Sequence, residues 1–250
     1  MRNYFQFGTT KFDIDDGLVI EKVPNQNRPA RKMDVYNVPG RNGDIVVMQD
    51  AWENVEQTYE IWGGNENINS ATGFGYKVAE LFNQTGYQRL EDSYDPDHYR
   101  LAYFAGPFDV ENLFTRRGRA QLTFSCDPRR FLVQQGGEYV IDATHFAISS
   151  PVWFPSKPRL IVYGSGSGTI TVQDKTMTIS NITNGMYIDS ETYSAYYNDT
   201  NLNTVISGDF IEFPGKRDAE DVNIYGEPMF YVDFTGGILA ITAQLQWWEL

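Results

Sequence analysis

Apolar and polar residues alternate in short runs along most of this chain, and the runs are broken by Gly, Pro, Asn and Asp. In residues 239–247, Leu239, Ile241, Ala243, Leu245 and Trp247 fall on one side, with Thr242, Gln244 and Gln246 on the other. In residues 119–126, Leu122, Phe124 and Cys126 oppose Gln121, Thr123 and Ser125. A period of two sends successive side chains to opposite faces of a pleated strand, so these segments predict half-buried β-strands. Residues 74–84 break the rule: Phe74, Val78, Leu81 and Phe82 share one face at helical spacing, and Gly86 is placed to cap the C-terminus. One helix among so many strands argues against a βαβ design and for a mostly β fold.

Residues 12–23 alternate about Gly17 and predict an early hairpin, followed by an Asn-, Pro- and Arg-rich loop over 24–32. A strand over 35–38 then enters Pro39-Gly40-Arg41-Asn42-Gly43-Asp44, where proline fixes φ and the glycines permit positive φ, a tight and specific turn. Further strands are expected at 55–62, 87–92, 99–106, 108–113 and 119–126, with Asp127-Pro128 ending the last of them. The polar stretch Gln134-Gln135-Gly136-Gly137 reads as a boundary between a domain over 1–133 and a second over 138–250. In the second, Ile170 and Val172 are expected to face Met177 and Ile179 across a hairpin, and Gly164-Ser165-Gly166-Ser167-Gly168 reads as a flexible bend between strands. Many short strands at this spacing indicate a sandwich or barrel.

A formal net charge of −13 gives no global attraction to phosphate or to an anionic membrane, so neither nucleic-acid recognition nor membrane binding is expected. No apolar run approaches the ~20 residues of a membrane-spanning helix, and the first residues lack the apolar core of a signal peptide. The single cysteine, Cys126, excludes an intrachain disulfide and lies on the apolar face of its strand, as a core thiol does. Synthesis in a reducing cytoplasm is the expectation.

Candidate chemistry is thin. The two histidines, His98 and His145, accompany no nucleophile motif, and one Cys with two separated His offers no zinc spacing. Asp92, Asp95 and Asp97 lack the spacing of a calcium loop and are read as a turn. The glycine run at 164–168 is followed by no Lys-Ser or Lys-Thr and opens no helix, so it is no phosphate loop. No catalytic, cofactor or metal residue is assigned. Exposed aromatics suit sugar binding, which makes Trp153, Tyr196 and Tyr197 the candidates for glycan contact, although burial in the second domain is the expected fate of each.

Several segments, in order, resemble the distal tail protein family of phages with long, non-contractile tails, found also in prophages. They are Val38-Pro39-Gly40-Arg41-Asn42-Gly43, Leu90-Glu91-Asp92-Ser93 ahead of Asp95-Pro96-Asp97, residues 122–131 from Leu122 to Phe131, Ser156-Lys157-Pro158 with Val162-Tyr163-Gly164-Ser165-Gly166, and the terminal Trp247-Trp248-Glu249-Leu250. The resemblance implies an N-terminal ring-forming domain and a C-terminal galectin-like β-sandwich. It further implies a hexameric virion hub, assembled in the host cytoplasm, that joins the tail tube to tip or baseplate proteins and serves host attachment and DNA ejection. A receptor-binding protein is a further partner to be expected. Arg41 and the group Arg116, Arg117 and Arg119 are then the candidates for pairing with carboxylates across the ring. The alternative function is a carbohydrate-binding module for host-surface glycan.

Overall fold

The structure is a computed structural model that describes residues 3–15, 17–63, 71–104, 106–107, 110–114, 117–133 and 138–250, leaving out the side chains of residues 71, 72, 74, 110–114 and 117. It is mostly β. Its contacts divide it into two compact units, Met1–Arg130 with Leu250 and Phe131–Glu249. The stretch at 134–137, read from the sequence as the boundary, lies outside the described residues.

The first unit contains β1 (Phe5–Phe7), β2 (Thr10–Phe12), β3 (Leu18–Ile20), β4 (Arg31–Tyr36), β5 (Ile45–Trp52), β6 (Val55–Gly63), α1 (Ala71–Ala79) and a 3₁₀ turn at Glu80–Asn83. It continues with β7 (Gln88–Asp92), β8 (His98–Tyr103), β9 (Val110–Phe114) and β10 (Arg117–Leu132), whose last residues, Phe131 and Leu132, belong to the second unit. The main sheet runs β2-β1-β7-β8-β10-β6-β3. The expected hairpin about Gly17 does not form: β2 pairs with β1, and β3 pairs with β6 at the opposite edge. Six Cα steps from Phe12 to Leu18 reach at most ~22 Å, whereas six inter-strand gaps of ~4.8 Å would hold the edges of a flat sheet ~29 Å apart. The sheet therefore curls until its two edges approach, and the turn at Gly17 carries the chain from one to the other.

Inside the curl lies an aromatic core. Phe5 is stacked between Phe12 at 4.6 Å and Tyr59 at 4.4 Å, and Phe124 meets Phe5 and Tyr59 edge-on at 6.0 and 5.9 Å. Offset stacks and edge contacts of this kind add to the area term of burial. Leu122, Phe124 and Cys126 all point into this core, as their alternation predicts. Burial pushes the Cys126 thiol up to about 12, so the side chain is an inert packing group. Pro128 does not end β10. The ladder to β6 stops at Cys126, so past that point no β6 carbonyl needs the N–H that proline lacks. The helix buries Val78 and Leu81 as expected, but its last turn tightens to 3₁₀ geometry, which adds rotation per residue and turns Phe82 outward.

The second unit contains β11 (Glu138–Ile141), β12 (Phe146–Ser149), β13 (Arg159–Val172), β14 (Lys175–Ile182), β15 (Met186–Asp189) and β16 (Ser194–Tyr197). After these come β17 (Thr200–Asn201), β18 (Ile206–Gly208), β19 (Asp221–Val222), β20 (Pro228–Gln244) and β21 (Trp248–Glu249). The predicted hairpin forms, with Ile170 opposite Met177 and all of Ile170, Val172, Met177 and Ile179 buried. Its spine is the long antiparallel pair β13–β20. The first part of β13 also pairs with β15 and its last part with β14, so the same two strands serve both layers, and register shifts between Tyr163 and Gly168 mark the passage.

Those shifts correct two expectations. Residues 164–168 are not a flexible bend but part of β13. A Cβ on Gly168 would lie 2.5 Å from the Thr235 carbonyl oxygen, and one on Gly237 would lie 1.6 Å from that of Ser165. The glycines thus allow two backbones to touch. Leu239 is the extra residue of the bulge and is exposed, whereas Ile238, Ile241, Ala243, Leu245 and Trp247 are buried.

Replacing Phe124 with Ala should cost roughly 3–5 kcal/mol of stability. Urea unfolding followed by circular dichroism will measure it, and a loss of well under 1 kcal/mol would show that the first unit does not depend on this ring.

Candidate functional site

The hairpin β4–β5 is a sheet to itself: the described residues place no third strand beside it. All of β4 and the first six residues of β5 are exposed. Pairs Met33↔Met48, Asp34↔Val47, Val35↔Val46 and Tyr36↔Ile45 fix the register. Directly opposed residues share a face, so Met33, Val35, Val46 and Met48 make one wholly apolar face. Tyr36, Ile45 and Val47 make the other, joined by Asp34, which accepts a bond from Gln49 Nε2 at 2.9 Å. The eight residues of β5 were missed as a strand because Ile45-Val46-Val47-Met48 is a continuous apolar run without alternation, which fits a segment covered on both faces.

Both ends of the hairpin are tied. Gly40 and Gly43 adopt φ of 85° and 80°, as the turn reading requires, and Asn37 Nδ2 donates to Asp44 Oδ1 at 3.2 Å. At the base Arg31 donates from Nε to the Gln49 carbonyl at 2.9 Å, pairs with Asp50 at 3.3 Å and lies over the Trp52 ring at 5.3 Å. Glu53 N–H donates to the Ala30 carbonyl at 2.9 Å. The arm is an ordered projection whose edges and faces lack partners within the described chain.

Of the arginines singled out by sequence, Arg41 is exposed in the turn of this arm and forms no ion pair among the described residues. Arg119 is on β10 and is already engaged, 2.8 Å from Glu21 and 3.3 Å from Glu60. Arg116 and the side chain of Arg117 lie outside the described residues.

A separate cavity of about 250 Å³ is lined by Tyr59, Asp92, Asp95, His98, Arg100 and Arg130, among others. Asp95 holds His98 Nδ1 at 2.8 Å and pairs closely with the buried Arg130. Asp92 accepts the Tyr59 hydroxyl at 2.7 Å and the N–H groups of Tyr94 and Asp95. Burial pushes the Asp95 carboxyl up, but the bonds from His98 and Arg130 outweigh it and hold the group below the usual carboxylate range. The described lining offers no Ser, Thr, Cys or Lys nucleophile, and no group of acidic, His or Cys side chains among the described residues is arranged to hold a metal ion. The cluster ties β8 and β10 together around the 92–98 turn.

The glycan candidates stand in different surroundings. Trp153, between β12 and β13, is 67% exposed rather than buried, and Tyr197 on β16 is exposed as well. Tyr196 is half-buried and stacks on Tyr187 at 5.4 Å, and no ring contact joins Trp153 to either β16 tyrosine.

No family model matches the sequence, and no curated protein is similar to it in sequence. Solved structures are similar in fold. The chain matches the Dit protein of phage SPP1, described as a paradigm of the hub adsorption apparatus in phages infecting Gram-positive bacteria, with a TM-score of 0.68 at 12% identity over 99% of both chains. It also matches chains of the phage P2 baseplate in its activated conformation. For the calcium structure the TM-score is 0.50 at 9% identity over 97% of both chains. For the strontium structure it is 0.50 at 11% identity over 97% of this chain and 98% of that one.

Because the Asp95 carboxyl is held low, its contribution is fully present above its unfolded-state value of ~3.9 and is lost as pH falls through the lower folded value. Asp95→Asn should therefore lower Tm by several degrees at pH 7, with the gap to the parent closing toward pH 2. A gap independent of pH in thermal melts would assign the loss to packing instead.

Proposed function

We propose that this chain is a distal tail protein of a phage or prophage with a long, non-contractile tail. Six copies close into a ring that joins the tail tube to the tip or baseplate, and through it take part in host attachment and DNA ejection. The observation that carries this reading is the β4–β5 arm, whose seven apolar residues on two faces stand in water in a single copy. An isolated two-stranded hairpin is marginal, an exposed apolar surface of this kind marks an interaction site, and unpaired strand edges invite pairing with another chain.

A second copy is the partner that a repeating ring supplies. A head-to-tail contact between different surfaces closes into a ring when its rotation closes, so each arm lies on its neighbour's body. The likeness to a hub protein over the full length of both chains supports the same assignment. Such a protein has structural neighbours, among them tail tube and baseplate proteins and a receptor-binding protein, and no substrate. The excess of negative charge keeps DNA from adhering to the wall of the ring. Arg41, projecting from the arm, pairs with a carboxylate of the next copy.

Exposed Trp153 and Tyr197 favour the second reading, a glycan-binding module, but no ring contact among the described residues joins them into one stacking platform.

The double substitution Val46→Lys and Met48→Lys charges the wholly apolar face of the arm. It should convert the ring to single copies in size-exclusion chromatography with light scattering, while the melting of both units is unchanged. A variant that elutes as the parent does would count against the arm as the joint. Arg41→Glu should loosen the ring at low salt, with the difference shrinking as salt screens the contact, and an oligomer unaffected at both salt levels would rule this pairing out.

A further inference from the structure

One end of the second unit carries a surface that the ring does not explain. Here the segment holding Trp153, the segment at 214–220 and the β19–β20 turn are knitted together. Ser150 N–H donates to the Pro228 carbonyl at 2.9 Å, the Ser150 hydroxyl to that of Pro214 at 2.6 Å, and Lys216 N–H to that of Val152 at 2.7 Å. A Cβ on Gly215 would fall 2.2 Å from the Trp153 carbonyl oxygen, so this approach requires glycine there. Val222 pairs with Pro228 on β20.

Upon this frame stand large apolar groups in water: Ile224 is 91% exposed, Tyr225 82%, Trp153 67% and Val222 65%. The turn that presents two of them is held stiffly. Asn223 Oδ1 accepts from Tyr225 N–H at 2.9 Å and Glu227 N–H at 3.0 Å, its Nδ2 donates to Glu227 Oε2 at 2.7 Å, and its carbonyl accepts from Gly226 N–H at 2.9 Å. A fixed loop loses little conformational freedom on binding, so these apolar groups are preorganised as anchors.

The charge around them selects the partner. Asp218, Glu220, Asp221 and Glu227 are exposed beside the apolar groups, against Lys216, Arg217 and the nearby Lys175; Arg217 is paired with Asp218 at 2.9 Å and Lys175 with Glu212. An acidic rim about a tryptophan and a tyrosine suits a protein pocket edged with Lys and Arg and repels an anionic lipid surface. A second copy of this chain carries a net charge of −13 and is less suited to that rim.

We propose that this end of the second unit docks a different protein of the same particle, one presenting an apolar socket rimmed by basic side chains. The proposal rests on the tail-hub reading. Its test is hydroxyl-radical footprinting, read by mass spectrometry, of the purified chain and of intact tails, combined with zero-length carbodiimide cross-linking of the tails. The expected result is that oxidation of Trp153 and Tyr225 falls several-fold in the tails, and that Asp221 or Glu227 is cross-linked to a lysine of another protein. Equal oxidation in both samples, with the chain present in the tails, overturns the docking proposal and leaves the hub intact. Cross-links to another copy of this chain overturn it as well. Co-flotation of the purified chain with phosphatidylglycerol vesicles, lost in Ile224→Ser/Tyr225→Ser, would assign the surface to a membrane and overturn it. Tails that lack the chain overturn the hub reading and this proposal together.

Discussion

Backbone N–H and C=O groups along a strand must be bonded, and apolar side chains on both faces of a hairpin must be covered, before such a hairpin contributes to stability. In β4–β5 the facing edges pair with each other, but the described chain supplies no strand for the outer edges and no cover for the apolar side chains. The two units on their own terms are conventional: each surrounds a core of fully buried aromatic and aliphatic side chains. The arm is different, since its sequence is apolar enough for an interior and its position is exposed. A protein that kept such an arm in solution would aggregate unless the surface were designed to be covered, and covering it with an identical neighbour also repeats the contact around a ring.

Both units bend sheets, by different means. The first curls because Phe12 and Leu18, close in sequence, belong to opposite edges of the sheet, and the stacked rings of Phe5, Phe12 and Tyr59 fill the space enclosed. The second turns its long strands β13 and β20 between layers at a glycine-rich bulge, where the two backbones approach too closely for any side chain at Gly168 or Gly237. The Asn223-centred turn is held by its own hydrogen bonds, which fix exposed Ile224 and Tyr225 in place.

Strands with one wet and one dry face were legible in the sequence, as the burial of Leu122, Phe124 and Cys126 and of Ile170, Val172, Met177 and Ile179 shows. Pairing was legible for the local β13–β14 hairpin but not across longer separations. Gly17 signals a turn, but nothing local says that the strands on either side belong to opposite sheet edges. Glycine at 164–168 carries the same letters whether it supplies freedom or permits close approach, and only the partner strand decides. The candidate site was half legible. The turn around Arg41 was evident from Pro39, Gly40 and Gly43, whereas the run Ile45-Val46-Val47-Met48 announces burial without saying that the described residues supply no cover. The intrachain partners of Arg119 were not legible for a related reason, because Glu21 and Glu60 are distant in sequence and adjacent in the sheet.

Cryo-electron microscopy of the purified full-length chain tests the central claim most directly. The account predicts a closed ring of identical copies in which Met33, Val35, Val46 and Met48 of each arm are buried against the next copy. Isolated single copies at high protein concentration, or a ring in which the arms still stand free in solvent, would contradict it.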